Sequence, residues 1–217
     1  MKNVTQRVAW AGITLFALVT FLIVSRYLTF NPDVYFPAQR ETYIAQPVGL
    51  FCHIIGSMTA MLIGPFQFLP SLRRRWTNLH RGMGRVYLSG CLIGGSAGLY
   101  MAFFAHGGFP ARVGFGMLAV LWLTTGAMAL ARIRVRRIAE HREWMIRSFA
   151  LTFAAATLRI YLTIHGILLG TQLITLSETE MYTAVAWLCW VPNLIFAEIY
   201  VNLSRPKRES LIVACTT

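Results

Sequence analysis

His141-Arg142-Glu143-Trp144-Met145-Ile146-Arg147-Ser148-Phe149-Ala150 decides how the chain is read. The run opens as a basic, polar turn and passes into an apolar stretch, Leu151 to Leu169, that carries one cation, Arg159. At 100° per residue His141, Met145, Ser148, Thr152, Ala155 and Arg159 fall on one helical face. An arginine well inside a bilayer span costs about 2.5–3.5 kcal/mol on insertion scales unless it meets a partner. That face is therefore expected to turn into a helix bundle, and function is expected along it.

Outward from this stretch the whole chain has membrane character. It is 56% hydrophobic and 13% charged over 217 residues, the composition of a polytopic membrane protein. Six spans fit, at 8–30, 47–69, 82–105, 111–131, 143–169 and 181–203, each about the length of a bilayer core. The first is read as a retained span, because Ser25-Arg26-Tyr27 is a poor cleavage site for a signal peptide. The expected fold is an all-α, six-span bundle forming one transmembrane domain, its interior lined by the second, third and fifth spans.

The net charge of +12 does not point to nucleic acid, because the basic residues sit in short turns between spans. Lys2 and Arg7 precede the first span, and Arg73, Arg74, Arg75, Arg81 and Arg85 surround the second-to-third turn. Arg132, Arg134, Arg136, Arg137 and Arg142 fill the fourth-to-fifth turn, and Arg205, Lys207 and Arg208 follow the sixth span. The positive-inside rule then places both termini in the cytoplasm. Cys52, Cys91, Cys189 and Cys215 have no metal or CxxC spacing and read as small packing residues.

The loop Asn31–Gln46, with Tyr35, Phe36 and Tyr43, suits the outer interface and is expected to lie across the outer mouth. Pro65 is expected to bend the second span. His53, Ser57, Ala60, Gly64 and Gln67 form one face of that span, and His80, Gly84, Tyr87, Cys91, Gly94 and Gly98 one face of the third. A shift of 61 positions lays Arg73, Arg75, His80 and Arg81 on Arg134, Arg136, His141 and Arg142. Topology explains the arginines but not the coincident histidines. A parallel repeat of two helical hairpins would bring His80 and His141 to one depth.

The chemistry rests on few residues. His80 and His141, at helix N-termini that disfavour the imidazolium, are neutral imidazoles suited to ligating the metal of a haem b. Gly84 and Ser148 are small enough to admit the ring, and nearby arginines suit its propionates. The alternative is two interfacial histidines bonded to headgroups or turn carbonyls. Arg159 and His53 lie in the outer half of the membrane, while Glu198 lies about 15 Å away in depth. Arg159 must meet hydroxyls, carbonyls, water or a bound anion, in an outer pocket for a quinone, a haem propionate or a lipid headgroup. Equally, it is a structural arginine bonded to backbone. His106 and His165 are expected at outer interfaces. No nucleophile–base pair, HExxH or phosphate loop supports hydrolase or transferase chemistry.

Several stretches carry a resemblance: His53-Ile54-Ile55-Gly56, Gly64-Pro65-Phe66-Gln67-Phe68, Leu79-His80-Arg81-Gly82-Met83-Gly84-Arg85-Val86-Tyr87, His141 to Ser148, Leu158-Arg159 and Trp187-Leu188-Cys189-Trp190-Val191-Pro192-Asn193-Leu194. They resemble the bacterial multi-pass membrane family catalogued as domain of unknown function 2306, from the second span onward. The resemblance implies a bacterial inner (plasma) membrane protein and no assigned activity. By layout alone the histidines are also similar to those of di-haem b-type membrane cytochromes. The expected function is redox-linked, with haem b or quinone bound and electrons passed to a redox partner within the bilayer. The alternative is a transporter or sensor with a polar interior and no cofactor.

Overall fold

Long apolar runs can satisfy their backbone in lipid only as helices or closed barrels. The computed structural model describes residues 4–205, which contain helices and no strands. In chain order the helices are α1 (Val4–Ser25), α2 (Arg40–Ala45), α3 (Pro47–Ile63), α4 (Pro70–Arg75) and α5 (Thr77–Ala102). They continue as α6 (Gly108–Arg134), α7 (Ile138–Thr152), α8 (Ala154–Gly170), α9 (Glu178–Leu188) and α10 (Val191–Ser204). Lys2, Lys207, Arg208 and Cys215 lie outside the described residues.

Among the described residues five helical segments are long and apolar enough to cross a membrane: Val4–Thr29, Pro47–Phe68, Gly108–Arg134, Ile138–Gly170 and Glu178–Ser204. The expected third span, α5, is not among them, although its 26 residues reach about 39 Å at 1.5 Å per residue. Six glycines and the polar His80-Arg81…Arg85 end dilute its apolar character. Three of the long segments are broken. After Ile63 the second turns 3-10 over Gly64–Phe68, where Pro65 cannot continue the α ladder. The fifth breaks at Phe153 between α7 and α8. There the Thr152 hydroxyl donates to the Ser148 carbonyl (3.0 Å), a back-bond of the kind that bends helices. The sixth breaks before Pro192, between α9 and α10.

The closest helix pair is α3 with α5, and glycine makes it possible. A Cβ on Gly56 would lie 2.4 Å from the Gly94 nitrogen and 2.7 Å from the Gly90 oxygen. One on Gly90 would lie 2.8 Å from the Gly56 oxygen. Backbone rests on backbone, as small-residue packing in membranes allows.

A buried polar knot joins α5, α6 and α7. Tyr87 is fully buried, with its hydroxyl 3.0 Å from Ser148 Oγ and 2.9 Å from Thr152 Oγ1. Trp122 Nε1 donates to the same Thr152 oxygen at 2.9 Å. The protons close without conflict. Thr152 donates to the Ser148 carbonyl and accepts from Trp122 and Tyr87, while Tyr87 accepts from Ser148. Around the knot pack Cys91, Phe149, Leu151, Val185, Cys189 and Trp190. The fourth and sixth spans thus share the interior with the three expected to line it. Cys91 and Cys189 are buried packing residues, whereas Cys52 is exposed.

Arg147 on α7 forks onto Glu198 on α10, its Nη2 donating to Oε2 at 2.9 Å. Its guanidinium also stands 4.8 Å over the Trp144 ring. Glu143 lies between Arg147 and Arg205, 3.8 Å from Arg147 Nη1 and forked by Arg205.

Two substitutions test this packing. Gly56→Ala must push α3 off α5 and should cost about 1–3 kcal/mol, read as a lower thermal midpoint in detergent. An unchanged midpoint would show that the backbones do not meet there. Tyr87→Phe strands the Ser148 and Thr152 hydroxyls and should cost about 0.6–2 kcal/mol. A neutral result would mean that water replaces the phenol.

Candidate functional site

The arginine turns gather at one pole of the bundle, and the Asn31–Gln46 loop closes the other. The loop is ordered by proline-led 3-10 turns at Pro32–Val34 and Pro37–Gln39, followed by α2. Its rings interlock: Tyr27 stacks on Tyr35 with centroids 5.4 Å apart, and Phe36 stacks on Tyr182 at 5.6 Å. Below it lies a cavity of about 330 Å³, within the range of small-molecule pockets. The loop contributes Phe36, Gln39 and Tyr43 to its lining, and the knot contributes Trp122 and Thr152.

His53 and Arg159 both line this cavity. His53 Nδ1 lies 2.8 Å from the Gly94 carbonyl. A carbonyl only accepts, so Nδ1 carries the proton and Nε2 of the neutral ring is a bare acceptor. The ring is seated by the glycine face of α5, since a Cβ on Gly98 would lie 2.8 Å from His53 Nδ1.

Arg159 gives one donor, Nη1, to the Ala155 carbonyl at 2.7 Å. Its electrostatic neighbours are the phenols of Tyr27, Tyr43 and Tyr182, with no carboxylate among them. Glu198 is taken by Arg147 at the opposite pole. Two buried oxygens on the cavity wall also have no hydrogen-bond partner, Ser57 Oγ and Gln39 Oε1, although Gln39 Nε2 donates to the Tyr182 hydroxyl at 3.0 Å. Burial, with Tyr182 and Tyr27 beside it, holds the Tyr43 phenol well above the usual tyrosine value, so it stays protonated. The wall therefore offers a guanidinium with donors to spare, a bare imidazole nitrogen and unspent hydroxyl and amide oxygens, all set among apolar side chains.

His80 and His141 stand apart from this cavity, at the arginine pole. Burial, then Arg73, His141 and Arg81, hold His80 below the usual histidine value. Its Nδ1 is buried without a hydrogen-bond partner. His141 Nδ1 lies 2.8 Å from the Ala129 carbonyl and donates to it. A haem between the two would need an open slab below them, and the room expected beside Ser148 is filled: Ser148 is fully buried and bonded to Tyr87. Beside Gly84 a Cβ would touch only Gln67 Oε1, at 3.4 Å. The flat group lying on the glycine face of α5 is the His53 ring itself. With the Ser148 side closed, the residues at this pair do not fit a macrocycle. Among the described residues no three His, Cys, Asp or Glu side chains gather for a metal ion.

His165, expected at an interface, is buried, with Nε2 2.9 Å from the Leu176 carbonyl. His106 Nε2 lies 3.0 Å from Thr179 Oγ1.

Residues 50–201 match the family described as predicted membrane protein, domain of unknown function 2306. No curated protein and no solved structure matches the chain. The family match begins inside α3 and ends inside α10, leaving α1, Tyr27 and the loop residues Gln39 and Tyr43 outside it.

The seat of His53 can be tested alone. Gly98→Ala should displace the imidazole, break its bond to Gly94 and cost about 1–3 kcal/mol in stability, read by thermal unfolding. It should also move the His53 ring signals in NMR spectra. Unmoved signals would show that the ring does not rest on Gly98.

Proposed function

The chain belongs to the domain of unknown function 2306 family of predicted membrane proteins, and from that premise we propose that it spans the bacterial inner membrane six times and binds a quinone in the loop-pole cavity. The observation that carries the ligand is the pairing on one cavity wall of Arg159, without a carboxylate partner, and His53, whose proton is held on Nδ1. A quinone supplies reversible two-electron, two-proton chemistry when bound. Arg159 donates to a ring oxygen, a charge-assisted bond strengthened by its apolar surroundings. His53 Nε2 would accept a hydrogen bond from a hydroxyl of the reduced form. Ser57 and Gln39 supply further polar contacts at the rim, and the aromatic loop keeps water out. A flat apolar ring suits walls built from Phe36, Phe115 and Trp122.

The proposed topology, with that pole and both termini in the cytoplasm, is supported by the arginines at the two turns and after α10 through the positive-inside rule. In this reading α5 is the third of six spans, its glycines spent on α3 and its polar end in the interface. Single cysteines in a chain from which Cys52, Cys91, Cys189 and Cys215 have been replaced test it. Gln172→Cys should react with an impermeant maleimide on whole spheroplasts, and Arg136→Cys only after lysis. The reverse pattern overturns the orientation.

Binding is tested with a tail-free benzoquinone and its quinol, titrated by calorimetry against the purified protein. Arg159→Leu should weaken both by about 10- to 100-fold, the equivalent of one charge-assisted hydrogen bond, and Arg159→Lys should restore only part, lacking the planar fork. His53→Ala should weaken the quinol more than the quinone, because Nε2 accepts only from the reduced form. A drop in stability with affinities unchanged would make Arg159 structural, and a wild-type protein that binds neither form sinks the quinone reading.

A further inference from the structure

The cavity does not end at Arg159. A second, narrower chamber of about 80 Å³ continues from it between α1, α3 and α8. The two share His53, Ile54, Ser57, Ala155, Arg159 and Val24 in their walls. Their polar groups therefore stand at the junction, while beyond it the narrow chamber is lined by Thr20, Phe21, Met58 and Met61. Apart from the Thr20 hydroxyl these four side chains are apolar, and the two methionines are unbranched and adaptable.

On one side the chamber is bounded by a single helix, through Thr20, Phe21 and Val24. That helix, α1, buries only one stripe, Thr14, Ala17, Thr20 and Val24, and exposes Leu15, Phe16, Val19 and Leu22 to the lipid side. It is pinned near its start, where Trp10 Nε1 donates to the Pro65 carbonyl at 2.9 Å. Beside the chamber, more than two turns further on, only small and apolar side chains hold it.

Resting on the quinone reading above, we propose that the ligand is amphipathic. Its carbonyl-bearing head lies in the main cavity against Arg159 and His53, and a long apolar tail leaves through the chamber between α1, α3 and α8 into the bilayer. A head group alone leaves the narrow chamber unused. A tail fills it with surface that neither water nor the polar wall can satisfy. Entry is then lateral, from the membrane beside α1, and the aromatic loop has no need to open.

The test compares a tail-free benzoquinone with the same ring bearing a decyl tail, on wild type, Thr20→Leu and Met61→Phe. All are reconstituted in nanodiscs of one phosphatidylcholine composition, so that partitioning of the tail into lipid cancels between variants. Both substitutions fill the narrow chamber and leave the polar junction untouched. The tailed ligand should lose about tenfold in affinity, the worth of one or two displaced methylenes, and the tail-free ligand should bind within twofold of wild type. The tail-free affinity also reports that each variant is folded, and two variants guard against one that is not. If the tailed ligand binds all three proteins alike, the tail goes elsewhere and the proposal falls while the quinone reading stands. If wild type fails to bind the tail-free ring, the reading beneath it falls as well.

Discussion

The Tyr87–Ser148–Thr152–Trp122 knot is the constraint on which the rest of the structure depends. In lipid a buried hydroxyl has no water to fall back on, so each must find its complement within the bundle. Four side chains from α5, α6 and α7 do this for one another with every proton assigned. The knot separates the two poles. On one side of it Trp122 and Thr152 line the cavity; within it Tyr87 packs in one core with Phe149. It also bends the fifth span, because the Thr152 hydroxyl that serves the knot draws on the carbonyl of its own preceding turn.

Two arginines on the fifth span meet opposite fates for the same electrostatic reason. Arg147 finds a carboxylate at its own depth and forks onto it. Arg159, further along, finds only phenols and a carbonyl. Desolvating a guanidinium is expensive, and what offsets it for Arg159 is the ring of polar groups at the cavity wall. The same ring makes the cavity selective, because an apolar guest would leave those donors unspent.

Much of the helical layout was legible in the sequence, because run length and the 3.6-residue period act locally. The helical class, the bend at Pro65 and the loop over the mouth follow from such signals. The depth argument that separated Arg159 from Glu198 corresponds to two distinct environments in the structure. Local signals do not report what fills a gap. The glycine face of α5 read as room for a flat ligand, yet α3 brings its own backbone and the His53 ring against it. Depth also could have paired Glu198 with Arg147, since both lie towards the same end of their spans, but the fifth-span stripe drew attention to Arg159 alone. Tyr27, Gln39 and Tyr182 carry no spacing that marks them. They reach the cavity through packing between distant segments, which no periodicity encodes. The break at Phe153 comes from a tertiary demand on Thr152, and for that reason the run from 143 to 169 reads as one unbroken helix.

The glycine seam has a mechanical consequence. With backbone resting on backbone at Gly56, Gly90 and Gly94, α3 and α5 behave as a single stiff plate, and His53, bonded to Gly94, is bolted to it. Arg159 belongs to another element, α8, which follows α7 with the main-chain bonds from Phe153 to Phe149 and from Thr157 to Phe153 still made. The two halves of the site therefore ride on different parts of the bundle, the imidazole on the glycine plate and the guanidinium on the second half of the fifth span.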